Sequence, residues 1–292
     1  MSGFDQVART IVQAVQRHRS WWFAAAALLF VGGCIVSVQQ LHLNLFDLHV
    51  GPATAILIVL GPITLVHGAA AVHLLALGSG VSLKFSGAFR SNCAAQFAEI
   101  LPLPGGAIVR IGALVAAGVP ARRGAALVLM SALLWGFVAG TLASLALFKL
   151  SGDRQFLVAG IAGVIVVGFV VARIVKLVGI GIAGALLALR LTGCILLAAR
   201  LMLSFAAIGR PEPATTAFVL GLATVAGSAA GIVPAGVGLS ELVGAALATT
   251  VNVDPFAAFL AIGLDRLLGL ISNGTVLMGV EHRATGFRHR GQ

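Results

Sequence analysis

The chain has 292 residues, 59% hydrophobic and only 10% charged, with a mean hydropathy of +1.07. Soluble domains carry about a quarter charged residues, so this composition excludes a soluble globular fold and predicts an all-α polytopic integral membrane protein. The net charge of +10 is nearly all arginine, of the kind that gathers in cytoplasmic loops, and does not argue for nucleic acid.

Phe4, Val7, Ala8, Ile11, Val12 and Val15 recur at i, i+3, i+4 spacing, while Arg9, Gln13, Gln16 and Arg17 fall elsewhere. Residues 1–20 therefore read as an amphipathic interfacial helix anchored by Trp21 and Trp22. A disordered basic terminus is the alternative. A single transmembrane domain is expected over 21–281, with six full spans at 21–38, 51–78, 124–148, 156–172, 183–208 and 256–280. Each is long enough for a hydrocarbon layer of ~30 Å. Residues 282–292 read as a basic cytoplasmic tail.

Two further segments are apolar but broken. The first, 92–119, contains Pro102, Pro104, Gly105 and Gly106, and the second, 215–251, contains Pro234, Gly236 and Gly238. Their arms are mostly shorter than the ~20 residues a crossing needs. Irregular backbone at membrane depth persists only where protein or a watery cavity satisfies its hydrogen bonds. Each segment is expected to be a re-entrant helical hairpin, making about eight to ten apolar helical segments in all. Breaks in corresponding halves point to a transporter-type site at a repeat interface.

Loop charge orients these elements. With the N-terminus cytoplasmic, Lys84, Arg90, Arg122, Arg123, Arg173 and Lys176 fall on the inner side, as do Arg283, Arg288 and Arg290. The 39–50 loop lacks Lys and Arg, and Arg210, Glu212, Asn252 and Asp254 flank the second hairpin outside. Lys149 and Arg154 also fall on the wrong side, partly offset by Asp153. The positive-inside rule supports two oppositely oriented hairpins in an inverted repeat, with both termini cytoplasmic. Two short full spans in place of each hairpin give the same topology.

Asn92, Gln96 and Glu99 are spaced four and three apart and share a helical face, which should meet a cavity or a partner. Arg110 lies eight residues after Pro102, and Glu241 seven after Pro234. In an inverted repeat they would approach one midplane from opposite sides, as a headgroup ligand and a proton relay or as a mutual ion pair. Asp265 and Arg266, about 100° apart on the last span, cannot both face lipid cheaply, so one should pair with the second hairpin. Arg200, and Arg190 if buried, add positive charge suited to a phosphate headgroup, with snorkelling as the alternative. Cys34, Cys93 and Cys194 read as small buried hydrophobes. His67 and His73 do not share a face, and no metal-ligand spacing occurs. No strand precedes the GxGxxG at Gly179, Gly181 and Gly184. No nucleophile has an evident base, so neither an enzyme nor a cofactor is expected.

The run Ile100-Leu-Pro-Leu-Pro-Gly-Gly106 followed by Arg110, the run Gly231-Ile-Val-Pro-Ala-Gly-Val-Gly-Leu-Ser-Glu241, and Leu264-Asp-Arg-Leu-Leu268 resemble the lysylphosphatidylglycerol synthase transmembrane, flippase-like family. The resemblance covers roughly residues 84–280. Asp265-Arg266 stands where that family carries an acidic-Arg pair, whereas Met130-Ser131 stand where a similar pair often follows the first hairpin. The resemblance implies a stand-alone bacterial inner-membrane factor that moves a charged envelope lipid, anionic phospholipid or hopanoid, without lysyl transfer. Membrane lipids, and lipid-synthesis enzymes, would be its partners. Glu99, Arg110, Glu241, Asp265 and Arg266 would line the cavity. A non-transporting scaffold for lipid synthesis is the alternative.

Overall fold

The computed structural model describes residues 19–44, 48–99, 105–230 and 238–288, and every regular element among them is helical. Residues 1–18 of the expected interfacial helix, with Pro102, Pro104, Pro234 and Gly236, lie outside the described residues. In chain order the helices are α1 (Arg19–Gln40), α2 (Val50–Gly78), α3 (Phe85–Ala98), α4 (Gly105–Ala116) and α5 (Ala121–Ser151). They continue with α6 (Arg154–Val178), α7 (Ile180–Ala207), α8 (Ala214–Ala230), α9 (Leu239–Thr250) and α10 (Pro255–Arg288). By length and composition, α2, α5, α6, α7 and α10 can each cross a membrane. On α6, Val158, Ile161, Ile165 and Phe169 are all more than half exposed, a stripe suited to lipid.

Local chemistry explains where these helices bend and end. Pro62 has no N–H to donate, and its ring conflicts with the carbonyl four residues back. The chain responds with a π-turn at Ile56–Leu60, in which the Gly61 N–H reaches the Ile56 carbonyl. Between α5 and α6, Gly152 takes φ 71° and Asp153 Oδ1 accepts the Gln155 N–H at 3.1 Å. The helices thus stop at caps, not where hydropathy fades, so α5 and α6 extend beyond the expected 124–148 and 156–172. Likewise α3 begins at Phe85, seven residues before the expected arm, because Ser86, Arg90 and Ser91 are polar yet tolerated in a helix.

A long helix, two short ones and another long helix occur twice in succession: α2 to α5, then α7 to α10. Within each unit the short pair folds back on itself. Val81 lies near Gly118 at the open end of α3–α4, while Gly106 meets Glu99 at the closed end. In α8–α9, Gly227 meets Ser240 and Ala223 meets Gly244. The leading helices α2 and α7 pack antiparallel: His49 N–H bonds the Ala207 carbonyl, His67 meets Leu189, and Gly78 abuts Val178. Contacts between the units are reciprocal, since α5 packs on α7 and α8 while α10 packs on α2 and α3. Two large apolar clusters and one small one result, and α7 serves both large ones. It sends Leu186 and Cys194 into one and Leu201 and Phe205 into the other.

The described charges separate between the two ends of this bundle. Lys84, Arg90, Arg122, Arg123, Arg173 and Lys176 gather where α2, α4 and α6 finish, and Arg123 donates to the Leu177 carbonyl at 2.7 Å. The opposite end carries Lys149, Arg154 and Arg210 against Asp153, Glu212 and Asp254.

α10 meets α2 at Gly61, where a Cβ would lie 2.6 Å from that of Ser272. Gly61→Val should therefore separate these helices and lower stability by about 1–3 kcal/mol, the usual penalty for overpacking. Unfolding in detergent tests this, and an unchanged midpoint would refute the close contact.

Candidate functional site

The chemistry of the candidate site begins with what a bilayer denies to a charge. With no water available, a guanidinium or carboxylate must find its partner in the protein. In the first unit, Arg110 Nη2 lies 3.0 Å from Glu99 Oε1, so α4 is tied to the end of α3 across the break. Gly106 makes this possible, because a Cβ there would come within 2.5 Å of the Glu99 side chain. The pair is only partly buried, with side-chain exposures of 28% and 40%.

The second unit holds a tighter set. Arg200 on α7 binds Asp265 on α10 in the two-pronged way a guanidinium permits: Nε to Oδ1 at 2.8 Å and Nη2 to Oδ2 at 3.1 Å. Its Nη2 also donates to the Asp265 carbonyl at 3.0 Å. Gly269 leaves space for the guanidinium, which a Cβ would approach to 2.7 Å. One residue on, Arg266 turns toward α9. Its Nη2 donates to Ser240 Oγ at 2.7 Å, and its Nη1 lies 3.4 Å from Glu241 Oε1. That last contact is a charge attraction without hydrogen-bond alignment, since neither atom has a hydrogen-bond partner. Glu241 Oε2 accepts the Gly238 N–H at 2.8 Å, so the carboxylate also caps α9. Glu241 is fully buried.

Other polar side chains stitch helices together. Asn92 is buried and donates to the Leu65 carbonyl of α2 at 3.1 Å, over Gly68. Gln96, on the same face, is half-buried and makes no hydrogen bond to a described residue. Asn273 donates to the Cys93 carbonyl at 3.4 Å and joins α10 to α3. Arg190 reaches Ser131 Oγ on α5 and lies 5.6 Å from the centre of the Trp135 ring. His67 Nε2 of α2 sits 2.6 Å from the Leu189 carbonyl and 3.2 Å from Thr192 Oγ1.

The structure therefore brings Glu241 and Arg266 together, as the adjacency of Asp265 and Arg266 suggested, and gives Asp265 to Arg200. Arg110 and Glu241 do not pair with each other. Neither Arg190 nor Arg200 snorkels, because each bonds a side chain of a neighbouring helix. Pairs such as Glu99–Arg110 and Arg190–Ser131 had no sequence signal: the partners stand 11 and 59 positions apart on different helices. Of the hairpin-break residues, Gly105 and Gly106 open α4 and Gly238 opens α9 at φ 81°.

Helix rise gives the depth of these groups. Arg190 is ten residues into α7, which starts at the basic end, and Asp265 is ten residues into α10, which starts at the other. Each lies about 15 Å inside its end at 1.5 Å per residue. The described residues thus contain two polar layers, one associated with each short helix pair.

The two kinds of ion pair should respond differently to substitution. Asp265→Asn leaves a guanidinium of 12% side-chain exposure without its counter-charge, which should destabilise the fold by about 3–5 kcal/mol. Pairing it with Arg200→Gln should restore part of the loss. Glu99→Gln breaks a less buried pair and should cost less stability than Asp265→Asn. Unfolding midpoints in one detergent test this ranking, and equal losses at both positions would contradict it.

Compared with protein-family models, curated proteins and solved structures, the chain matches none.

Proposed function

We propose that this chain is a lipid translocase or lipid-transport factor of the bacterial inner membrane. It takes an anionic or hopanoid-type headgroup into a polar cavity between two re-entrant hairpins while the lipid tails stay in the bilayer. The observation that carries this reading is that ion pairs sit at both short helix pairs inside an apolar bundle, Glu99 with Arg110 at one and Glu241 with Arg266 beside Asp265 at the other. Broken helices and intramembrane charges are costly, and in membrane proteins they commonly mark a transport pathway. The antiparallel packing of α2 on α7 supports an inverted repeat, with one hairpin entering from each face. Six basic residues at one end and a balanced set at the other support a cytoplasmic basic end. The resemblance of 231–241 and 264–268 to the flippase-like family adds the lipid substrate. With no nucleotide motif in these residues, movement runs downhill or follows an ion gradient.

A second reading, a non-transporting scaffold for envelope-lipid synthesis, is favoured by one observation. All three intramembrane carboxylates already have a cationic partner, as in a structural lock.

Reconstitution separates the two. Liposomes carrying the wild-type protein should expose a fluorescent anionic lipid to a membrane-impermeant quencher faster than empty liposomes. Glu241→Gln, inserted and folded, should return the rate to background. Wild-type protein at background with every lipid tried would sink the translocase reading in favour of the scaffold.

A further inference from the structure

The two polar layers differ in charge. The layer of the second unit holds Arg200 and Arg266 against Asp265 and Glu241 and is balanced. That of the first unit holds Arg110 and Arg190 against Glu99 alone, and Glu99 is already bonded to Arg110. The asymmetry has one residue as its origin. Asp265 lies ten residues into α10, and Ser131 lies ten residues into α5, the helix in the same place in the other unit. An arginine of α7 reaches each: Arg200 binds Asp265 and Arg190 binds Ser131. A serine hydroxyl accepts the hydrogen bond but brings no negative charge.

Among the described residues no carboxylate pairs with Arg190, and its buried Nε has no hydrogen-bond partner. Residues 100–104 and 231–237 contain no acidic residue. The Trp135 ring offers the guanidinium a partial counterweight, far short of a full charge. Arg190 and Trp135 both keep partial surface exposure, while the Arg190 Nε itself is buried.

We infer that Arg190 forms an oxyanion site whose missing negative charge is supplied by the phosphate of a lipid headgroup. The lipid in this statement rests on the translocase reading; the oxyanion rests on the charge count. Within that reading the cargo is an acidic lipid, not a neutral one. A guanidinium presents parallel N–H donors at the spacing of phosphate oxygens, and the free Nε of Arg190 is such a donor. The lipid source is favoured by an apolar groove of about 330 Å³ between α5 and α6, lined by Met130, Leu133, Phe137, Val166, Phe169 and Val170 with Arg173 at its edge, on a neighbouring face of α5.

The decisive variant is Ser131→Asp, which gives Arg190 an internal carboxylate and should leave the fold intact or firmer. Purified protein would be titrated with phosphatidylglycerol, phosphatidylcholine and inorganic phosphate, with bound species read by native mass spectrometry and folding checked by thermal unfolding. Wild type should prefer phosphatidylglycerol over phosphatidylcholine, and Ser131→Asp and Arg190→Gln should each weaken it about tenfold or more, the scale of one charged hydrogen bond. Ser131→Ala, which keeps the unpaired cation, should retain binding. Inorganic phosphate that competes with the lipid supports the shared site, whereas phosphate binding without lipid binding would overturn the lipid assignment. Folded Ser131→Asp and Arg190→Gln proteins that bind phosphatidylglycerol like wild type would overturn the site. If such variants also carry lipid normally in liposomes, the translocase reading survives without it. If binding is lost in them but wild type moves no lipid, the oxyanion site stands and the translocase reading falls.

Discussion

A guanidinium buried in a hydrocarbon layer has no water to fall back on, and much of this architecture can be understood as a response to that constraint. Among the described residues four arginines lie inside the bundle, and each must find oxygen on a neighbouring element. Arg110 finds it across the first break, Arg200 and Arg266 on opposite sides of the Asp265-Arg266 step, and Arg190 only at a hydroxyl. Because adjacent helical residues point about 100° apart, Asp265 and Arg266 serve two different helices, and α10 is fastened to α7 and α9 at one level.

These bonds are short because backbones come close. Glycine stands opposite a polar side chain at several positions: Gly106 under Glu99, Gly68 under Asn92, Gly269 under Arg200. Small residues are how helices associate where lipid removes most of the hydrophobic drive. Here the space they leave is filled by side chains that must hydrogen-bond. Packing and polar satisfaction are therefore one arrangement, and losing either partner of a buried pair exposes the other to an apolar medium.

The placement of α7 gives the molecule its asymmetry. It packs antiparallel to α2, enters both large apolar clusters and carries both arginines that meet the trailing helices. The second unit is closed electrostatically by Asp265, while the first is left open by Ser131. A molecule built of two similar units thus has one saturated half and one with cationic capacity, a division suited to a fixed frame and a responsive site. Glu241 couples the frame to backbone as well, since its carboxylate both faces Arg266 and caps α9 at Gly238.

The sequence by itself determined the helical membrane class, the order of long and broken segments, and the interior charges. Each follows from local quantities: hydropathy over a span, proline and glycine that interrupt a helix, and the cost of an ion in lipid. Helix ends were legible only to within several residues, because caps such as Gly152-Asp153 stop a helix where hydropathy shows nothing. Tertiary structure alone decided the pairings. Glu99 with Arg110, Arg200 with Asp265 and Arg190 with Ser131 join residues 11, 65 and 59 positions apart. Which arginine keeps a carboxylate depends on how helices cross and where glycine admits them, and no periodicity along the chain encodes that crossing.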